Sequence, residues 1–144
     1  MAAQTIPDVL GGEQILGRPM GKRGALAELV REGLPVKALF LLAERRDLRQ
    51  AEISEKIGIP QRTLTRRLSE ASLLTPAESD RTVRMARVYA NAVEMIGDEG
   101  RAILWLTTPN RALGGERPLD QLDTDVGARL VEDILGRIAY GVYS

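Results

Sequence analysis

Residues 50–70 read QAEISEKIGIPQRTLTRRLSE, and this stretch decides the architecture. Ile53 and Ile57 recur at one-turn spacing, Gly58 interrupts them, and Leu64 and Leu68 resume the spacing after Pro60. Two short helices joined by a tight turn satisfy that pattern, because glycine reaches the left-handed backbone region that other residues resist. Ser54 is the small residue that lets the two helices approach. With Ile53, Ile57, Ile59, Leu64 and Leu68 inward, the second helix turns Gln61, Arg62, Thr63, Thr65, Arg66 and Arg67 largely outward. Arginine reads guanine edges with two hydrogen bonds, glutamine reads adenine edges, and threonine donates to phosphate or touches a thymine methyl. The pattern predicts a helix-turn-helix that contacts duplex DNA through those six residues. A single unit makes few contacts, so a homodimer on two-fold half-sites is expected. The same spacing also suits a plain helical hairpin with a solvated basic face.

The flanking sequence continues in helices. No segment alternates apolar and polar residues, so the expected fold class is all-α, with the helix-turn-helix region followed by a C-terminal helical region. Residues 22–32 form a helix bearing Leu26, Leu29 and Val30. Pro35 opens another, with Val36, Leu39, Phe40 and Ala43 on its core stripe. Thr75-Pro76-Ala77-Glu78 is a capping box with proline at the first helical position. A long helix follows, with Val83, Ala86, Ala90, Val93 and Ile96 as its stripe and Gly97 as its stop. Asp98 caps a helix through Leu106. Residues 110–118 are loop, and Thr124 caps a last helix buried through Leu130, Val131, Ile134, Leu135 and Ile138. Residues 1–21, with four glycines and two prolines and little periodicity, read as a flexible segment. The expected division is therefore 1–21 flexible, 22–75 helix-turn-helix and 76–144 C-terminal.

Composition narrows the function. The 144 residues are 44% hydrophobic and 28% charged, as a folded globular chain requires. There is no Cys and no His, which removes disulfides, thiolate metal sites and the commonest general base. The few serines sit in no nucleophile motif. No catalytic residue, metal or cofactor is expected. No apolar run approaches the ~18 residues a membrane span needs, and the chain is expected to be cytoplasmic. Formal net charge is zero, but residues 36–90 carry eleven basic against seven acidic side chains, and residues 91–144 five against nine. A basic middle suits phosphate and an acidic end suits a different partner.

The C-terminal third carries the most specific string. Trp105-Leu106-Thr107-Thr108-Pro109-Asn110 is followed by Gly114-Gly115, Pro118-Leu119-Asp120-Gln121-Leu122 and a terminal Gly141-Val142-Tyr143-Ser144. With Glu78-Ser79-Asp80-Arg81 and Ile96-Gly97-Asp98 upstream, residues 36–144 resemble the Xre/MbcA/ParS antitoxin family. The resemblance implies a partner with a RES domain, a toxin that degrades NAD and is held inactive by the antitoxin. It also implies a C-terminal segment at the toxin's active-site mouth, a role that falls on Arg137, Tyr140, Tyr143 and Ser144. Tyrosines suit such an interface, having an apolar body and a polar tip. Two positions depart from the family pattern: Ile96 replaces an aromatic, and Arg67 displaces the apolar spacing of the second helix by one. Trp105 reads primarily as core. Pro109, Asn110, Gly114 and Gly115 read as turn formers.

These readings leave a leading function and two rivals. The leading one is an antitoxin that neutralises its toxin and represses its own operon by binding operator DNA. One rival is a stand-alone dimeric helix-turn-helix regulator whose C-terminal half only dimerises. The other, an all-helical carboxylate enzyme, is disfavoured by the missing His and Cys.

Overall fold

The computed structural model describes residues 4–45, 48–139 and 141. Among them lie nine α-helices, two 3-10 turns and no strand, so the fold is all-α. The helices are α1 Ile6–Val9, α2 Gly12–Leu16, α3 Ala25–Glu32, α4 Val36–Arg45, α5 Gln50–Ile57, α6 Gln61–Ser69, α7 Pro76–Ile96, α8 Glu99–Leu106 and α9 Asp125–Ala139. The 3-10 turns are Arg111–Leu113 and Pro118–Gln121.

Helix α7 is the centre of the molecule, packing against α1, α3, α5, α8 and α9. Its start is the expected capping box: Glu78 N–H donates to Thr75 Oγ1 at 3.2 Å, and Thr75 N–H donates to Glu78 Oε1 at 2.8 Å. Its end is Gly97 at φ 93°, whose N–H reaches the Val93 carbonyl. The buried face differs from the stripe expected of it. Ser79, Thr82, Met85, Ala86, Val88, Tyr89 and Ala92 are buried, whereas Val83, Ala90, Val93 and Ile96 are only half-buried. A helix with neighbours on several sides buries more than one stripe, and two of the buried positions are hydroxyl residues that an apolar pattern passes over. Both hydroxyls are satisfied: Thr82 Oγ1 donates to the Glu78 carbonyl at 2.8 Å, and Ser79 Oγ accepts the Leu34 N–H at 2.9 Å.

The opening residues depart from the flexible segment expected of them. Thr5 and Asp8 form a capping box on α1, and Val9, Leu10 and Leu16 are buried, with α1 packed on α7. Helices of four and five residues are too short to display a 3.6-residue period, so glycine and proline dominate the sequence signal there. The segment before α4 is tied to the segment after α6 by Leu74 N–H to the Leu34 carbonyl at 2.7 Å and Val36 N–H to the Ser72 carbonyl at 3.1 Å. These bonds close the helix pair α5–α6 into the rest of the body.

Helix α9 is capped as expected, Gly127 N–H donating to Thr124 Oγ1 at 2.9 Å. Its buried face is Gly127, Ala128, Val131, Ile134 and Leu135; Leu130 is instead 44% exposed. Gly127 and Ala128 carry too little apolar surface to mark a stripe, yet they permit the close approach. A Cβ built on Gly127 would lie 2.0 Å from the Gln121 carbonyl oxygen, so the main chain of the preceding turn occupies the space of a side chain. Gly127→Ala must push that turn aside and is expected to destabilise the fold by about 1–3 kcal/mol, the usual cost of overpacking. Thermal denaturation checks it, and an unchanged midpoint would refute the close approach.

Candidate nucleic-acid interface and docking groove

The turn between α5 and α6 is built from few parts. Gly58 sits at φ 89°, its N–H and that of Ile59 both donate to the Ser54 carbonyl, and Ser54 Oγ donates to the Ile59 carbonyl. Ile53, Ile57, Ile59 and Leu64 are buried between the two helices and the body, with Leu68 half-buried. From α7, Arg81 Nη1 donates to the Ile57 carbonyl at 3.0 Å, satisfying a group at the end of α5.

On α6 the six predicted residues divide. Gln61, Arg62, Thr65 and Arg66 are exposed and lie on one face, at positions i, i+1, i+4 and i+5. Thr63 is half-buried. Thr65 Oγ1 donates back to the Gln61 carbonyl at 3.0 Å, and Arg66 has only an exposed contact with Glu70 at 3.8 Å, which constrains it little. Arg67 turns elsewhere. Its guanidinium donates to both Glu78 carboxylate oxygens, at 3.1 and 2.8 Å, and to the Leu73 carbonyl at 2.8 Å. These bonds pin α6 to the first turn of α7. Burial alone would raise the Glu78 pKa, but the Arg67 bonds and the Thr75 N–H outweigh it and hold the carboxyl below its ordinary 4.5.

Several of the basic side chains counted along the chain are held inside the fold. Arg87 on α7 makes a two-bond pair with Glu132 on α9, at 3.2 and 2.8 Å. Arg84 reaches the Leu122 and Asp123 carbonyls, Arg81 the end of α5, and Arg67 Glu78. At Arg87 and Glu132 the basic middle and the acidic end meet. Arg62 and Arg66 remain as outward charge on α6.

The second face lies in the C-terminal region. Ile96, Arg101, Leu104, Trp105, Thr108 and Ile138 line an open groove of about 410 Å³. Trp105 is half-buried, packed on the core while also lining the groove, and Leu104 is 66% exposed. Neither Leu104 nor Arg101 stands out in the sequence as a candidate contact, because Leu104 lies in the apolar run Ile103–Leu106. The signal was present: an eight-residue helix with Ala102 and Leu106 buried places Leu104 on the opposite side. Asn110 shapes the following turn, its Oδ1 accepting from Ala112 N–H at 2.9 Å and its carbonyl from Gly115 N–H at 3.0 Å. Arg137 is exposed in the last turn of α9, next to groove-lining Ile138. Tyr140, Tyr143 and Ser144 lie outside the described residues. Among the described residues no three carboxylates gather as a cation site would need, and no helix is long and apolar enough to cross a membrane.

Comparison with known proteins covers both regions of the chain. Residues 25–87 match the antitoxin Xre-like helix-turn-helix domain, and residues 91–141 match the antitoxin Xre/MbcA/ParS C-terminal toxin-binding domain. The two matched stretches meet within α7, whereas the boundary expected from sequence falls just before it. The chain is 37% identical over 130 residues to Antitoxin Xre of Yersinia enterocolitica, covering 90% of this chain and 88% of that one. It is 34% identical to Antitoxin Xre of Photorhabdus laumondii over the same shares. A more distant relative, 22% identical over 81% of this chain and 79% of its own, is the Prs ADP-ribosylating antitoxin of a Sphingobium species.

The Arg67–Glu78 pair carries an acid-dependent prediction. Because the folded carboxyl is the stronger acid, its contribution is present at neutral pH and is lost as pH falls below 4.5 and through the folded value. Glu78→Gln is expected to cost about 1–3 kcal/mol at pH 7. Its difference from wild type should shrink at about pH 3.5, both read by denaturant titration; a difference independent of pH would count against the pair.

Proposed function

This chain belongs to the Xre antitoxin family, and from that premise we propose that it silences a RES-domain, NAD-degrading toxin and represses its own operon. As an Xre-type antitoxin it carries a helix-turn-helix domain and a toxin-binding domain. What supports the finer reading is one observation: two exposed faces of unlike chemistry on a single body. The α6 face is polar and cationic, the Trp105 groove apolar.

On the first face, Gln61, Arg62, Thr63, Thr65 and Arg66 address the operator, with the two arginines supplying base or phosphate contacts. Arg67 serves instead by holding α6 in place. Two copies bind as a homodimer, matching two-fold operator half-sites in the cytoplasm. On the second face, the toxin covers the groove through Leu104 and Trp105, and the end of the chain, Arg137 with Tyr140, Tyr143 and Ser144, reaches the toxin's active-site mouth. An exposed leucine beside a half-buried tryptophan favours a protein partner, since aromatic anchors in a desolvated patch dominate interface energy. The antitoxin itself catalyses nothing in this scheme.

A second reading concerns the toxin's chemistry. The Sphingobium relative's name refers to ADP-ribosylation. Transfer of ADP-ribose and degradation of NAD both begin by breaking the bond to nicotinamide, so either toxin would deplete NAD. Labelled protein after toxin expression distinguishes transfer from simple degradation.

Arg62→Ala and Arg66→Ala are each expected to weaken binding to a duplex from the chain's own upstream region by about 1–3 kcal/mol without altering toxin neutralisation. Unchanged affinity in both, by mobility shift, would remove α6 from the readout. Leu104→Glu, or removal of residues 140–144, should restore growth arrest and NAD loss when the adjacent gene's product is coexpressed. Continued protection by both variants would sink the groove and the tail as the toxin's contacts.

A further inference from the structure

Four charged side chains outside both faces form a linked series, Glu52–Arg117–Asp120–Lys56. Glu52 and Lys56 stand one turn apart on α5; Arg117 and Asp120 stand at the 3-10 turn Pro118–Gln121 of the C-terminal region. Arg117 Nη2 lies 2.7 Å from Glu52 Oε1 and 2.8 Å from Asp120 Oδ1, while its Nε donates to Asp120 Oδ2 at 3.0 Å. Lys56 Nζ lies 3.1 Å from Asp120 Oδ1. The signs alternate, so every near neighbour is attractive. Lys56 is only 13% exposed, and each of the other three no more than 30%. The bonds from Arg117, followed by Lys56, hold the Asp120 carboxyl well below the usual carboxylate range, and Asp120 and Glu52 raise the Arg117 guanidinium.

The two ends of this clasp are anchored in different parts of the chain. Pro118, Leu119 and Leu122 are buried, and the 3-10 turn packs against α8 and α9, so Arg117 and Asp120 project from the C-terminal core. Glu52 and Lys56 belong to the first helix of the DNA-reading pair. That helix packs across α6 through Ile53 and Ile57, so its placement sets the direction in which Gln61, Arg62, Thr65 and Arg66 point. Isolated surface ion pairs hold elements in place weakly, but here the bidentate Arg117–Asp120 bond fixes the two charged groups of the turn relative to each other, and each then makes one half-buried contact to α5, Arg117 to Glu52 and Asp120 to Lys56.

We infer that Arg117 and Asp120 are positioning residues for DNA recognition, gripping α5 from inside the toxin-binding region and so setting the stance of α6. The inference rests on the DNA reading proposed above.

The full-length protein tests it, titrated with a duplex from its own upstream region at several salt concentrations. Arg117→Gln should weaken binding about ten-fold, the equivalent of one charged hydrogen-bonded pair. The slope of affinity against salt should stay as in wild type, because no phosphate contact is lost. Amide hydrogen exchange should rise in residues 50–69 and not in α9. Arg117→Lys should recover part of the affinity, and the double variant with Glu52→Gln should cost no more than Arg117→Gln alone. Should Arg117→Gln fail to fold, Lys56→Gln removes a single contact, with an expected loss of about three-fold. A wild type that binds while these variants bind equally well overturns the positioning role alone. A salt slope reduced by about one also overturns it, making Arg117 a phosphate contact. A wild type indifferent to the duplex overturns the DNA reading, and the positioning role with it.

Discussion

The burial of α7 on several sides constrains everything around it. A helix in that position cannot rely on water for its side-chain hydroxyls, so Ser79 and Thr82 must find partners within the protein. Ser79 does so by accepting the Leu34 N–H, which draws the chain entering α4 against the centre of the molecule. Small residues at Ala86 and Ala92 let neighbouring helices come close, and Gly127 on α9 continues that economy of volume next to the Gln121 carbonyl. Dense packing of this kind leaves the chain little freedom in where α5, α8 and α9 stand.

Charge is distributed with the same logic. Counted along the sequence, the middle of the chain is basic and its end acidic, a pattern that reads as two binding surfaces. In space Arg87 faces Glu132 across α7 and α9 and Lys56 faces Asp120 at the 3-10 turn, while Arg117 and Glu52 pair there with the signs reversed. Part of the segregated charge therefore organises the seams between helices. The outward cationic character of the helix pair comes from a few side chains on α6, which makes those few more consequential than the overall balance suggested.

Much of the fold was legible because it is written in local signals. Thr75 to Glu78, Gly97, Asp98, Thr124 and the Ile53 to Leu68 spacing each depend on a turn or two of backbone, and such signals survive in any tertiary setting. The failures share a cause as well. The opening helices are shorter than the period that would reveal them. The buried faces of α7 and α9 include Ser79, Thr82 and Gly127, which an apolar count ignores. For the sites, the exposed face of α6 followed from helical geometry, but the inward turn of Arg67 depended on Glu78, eleven residues away, which no local pattern encodes. Leu104 was hidden in the opposite sense, as an apolar residue in an apolar run that points outward.

Helix α7 runs unbroken for 21 residues, about 30 Å, through the place where the two domain profiles meet. No linker separates them. Exchange of one half between relatives would require a crossover inside a rod whose inner surface touches both halves at once. New combinations of the two surfaces must therefore arise by gradual change at each, and lineages of this architecture should diverge as whole chains more readily than they recombine.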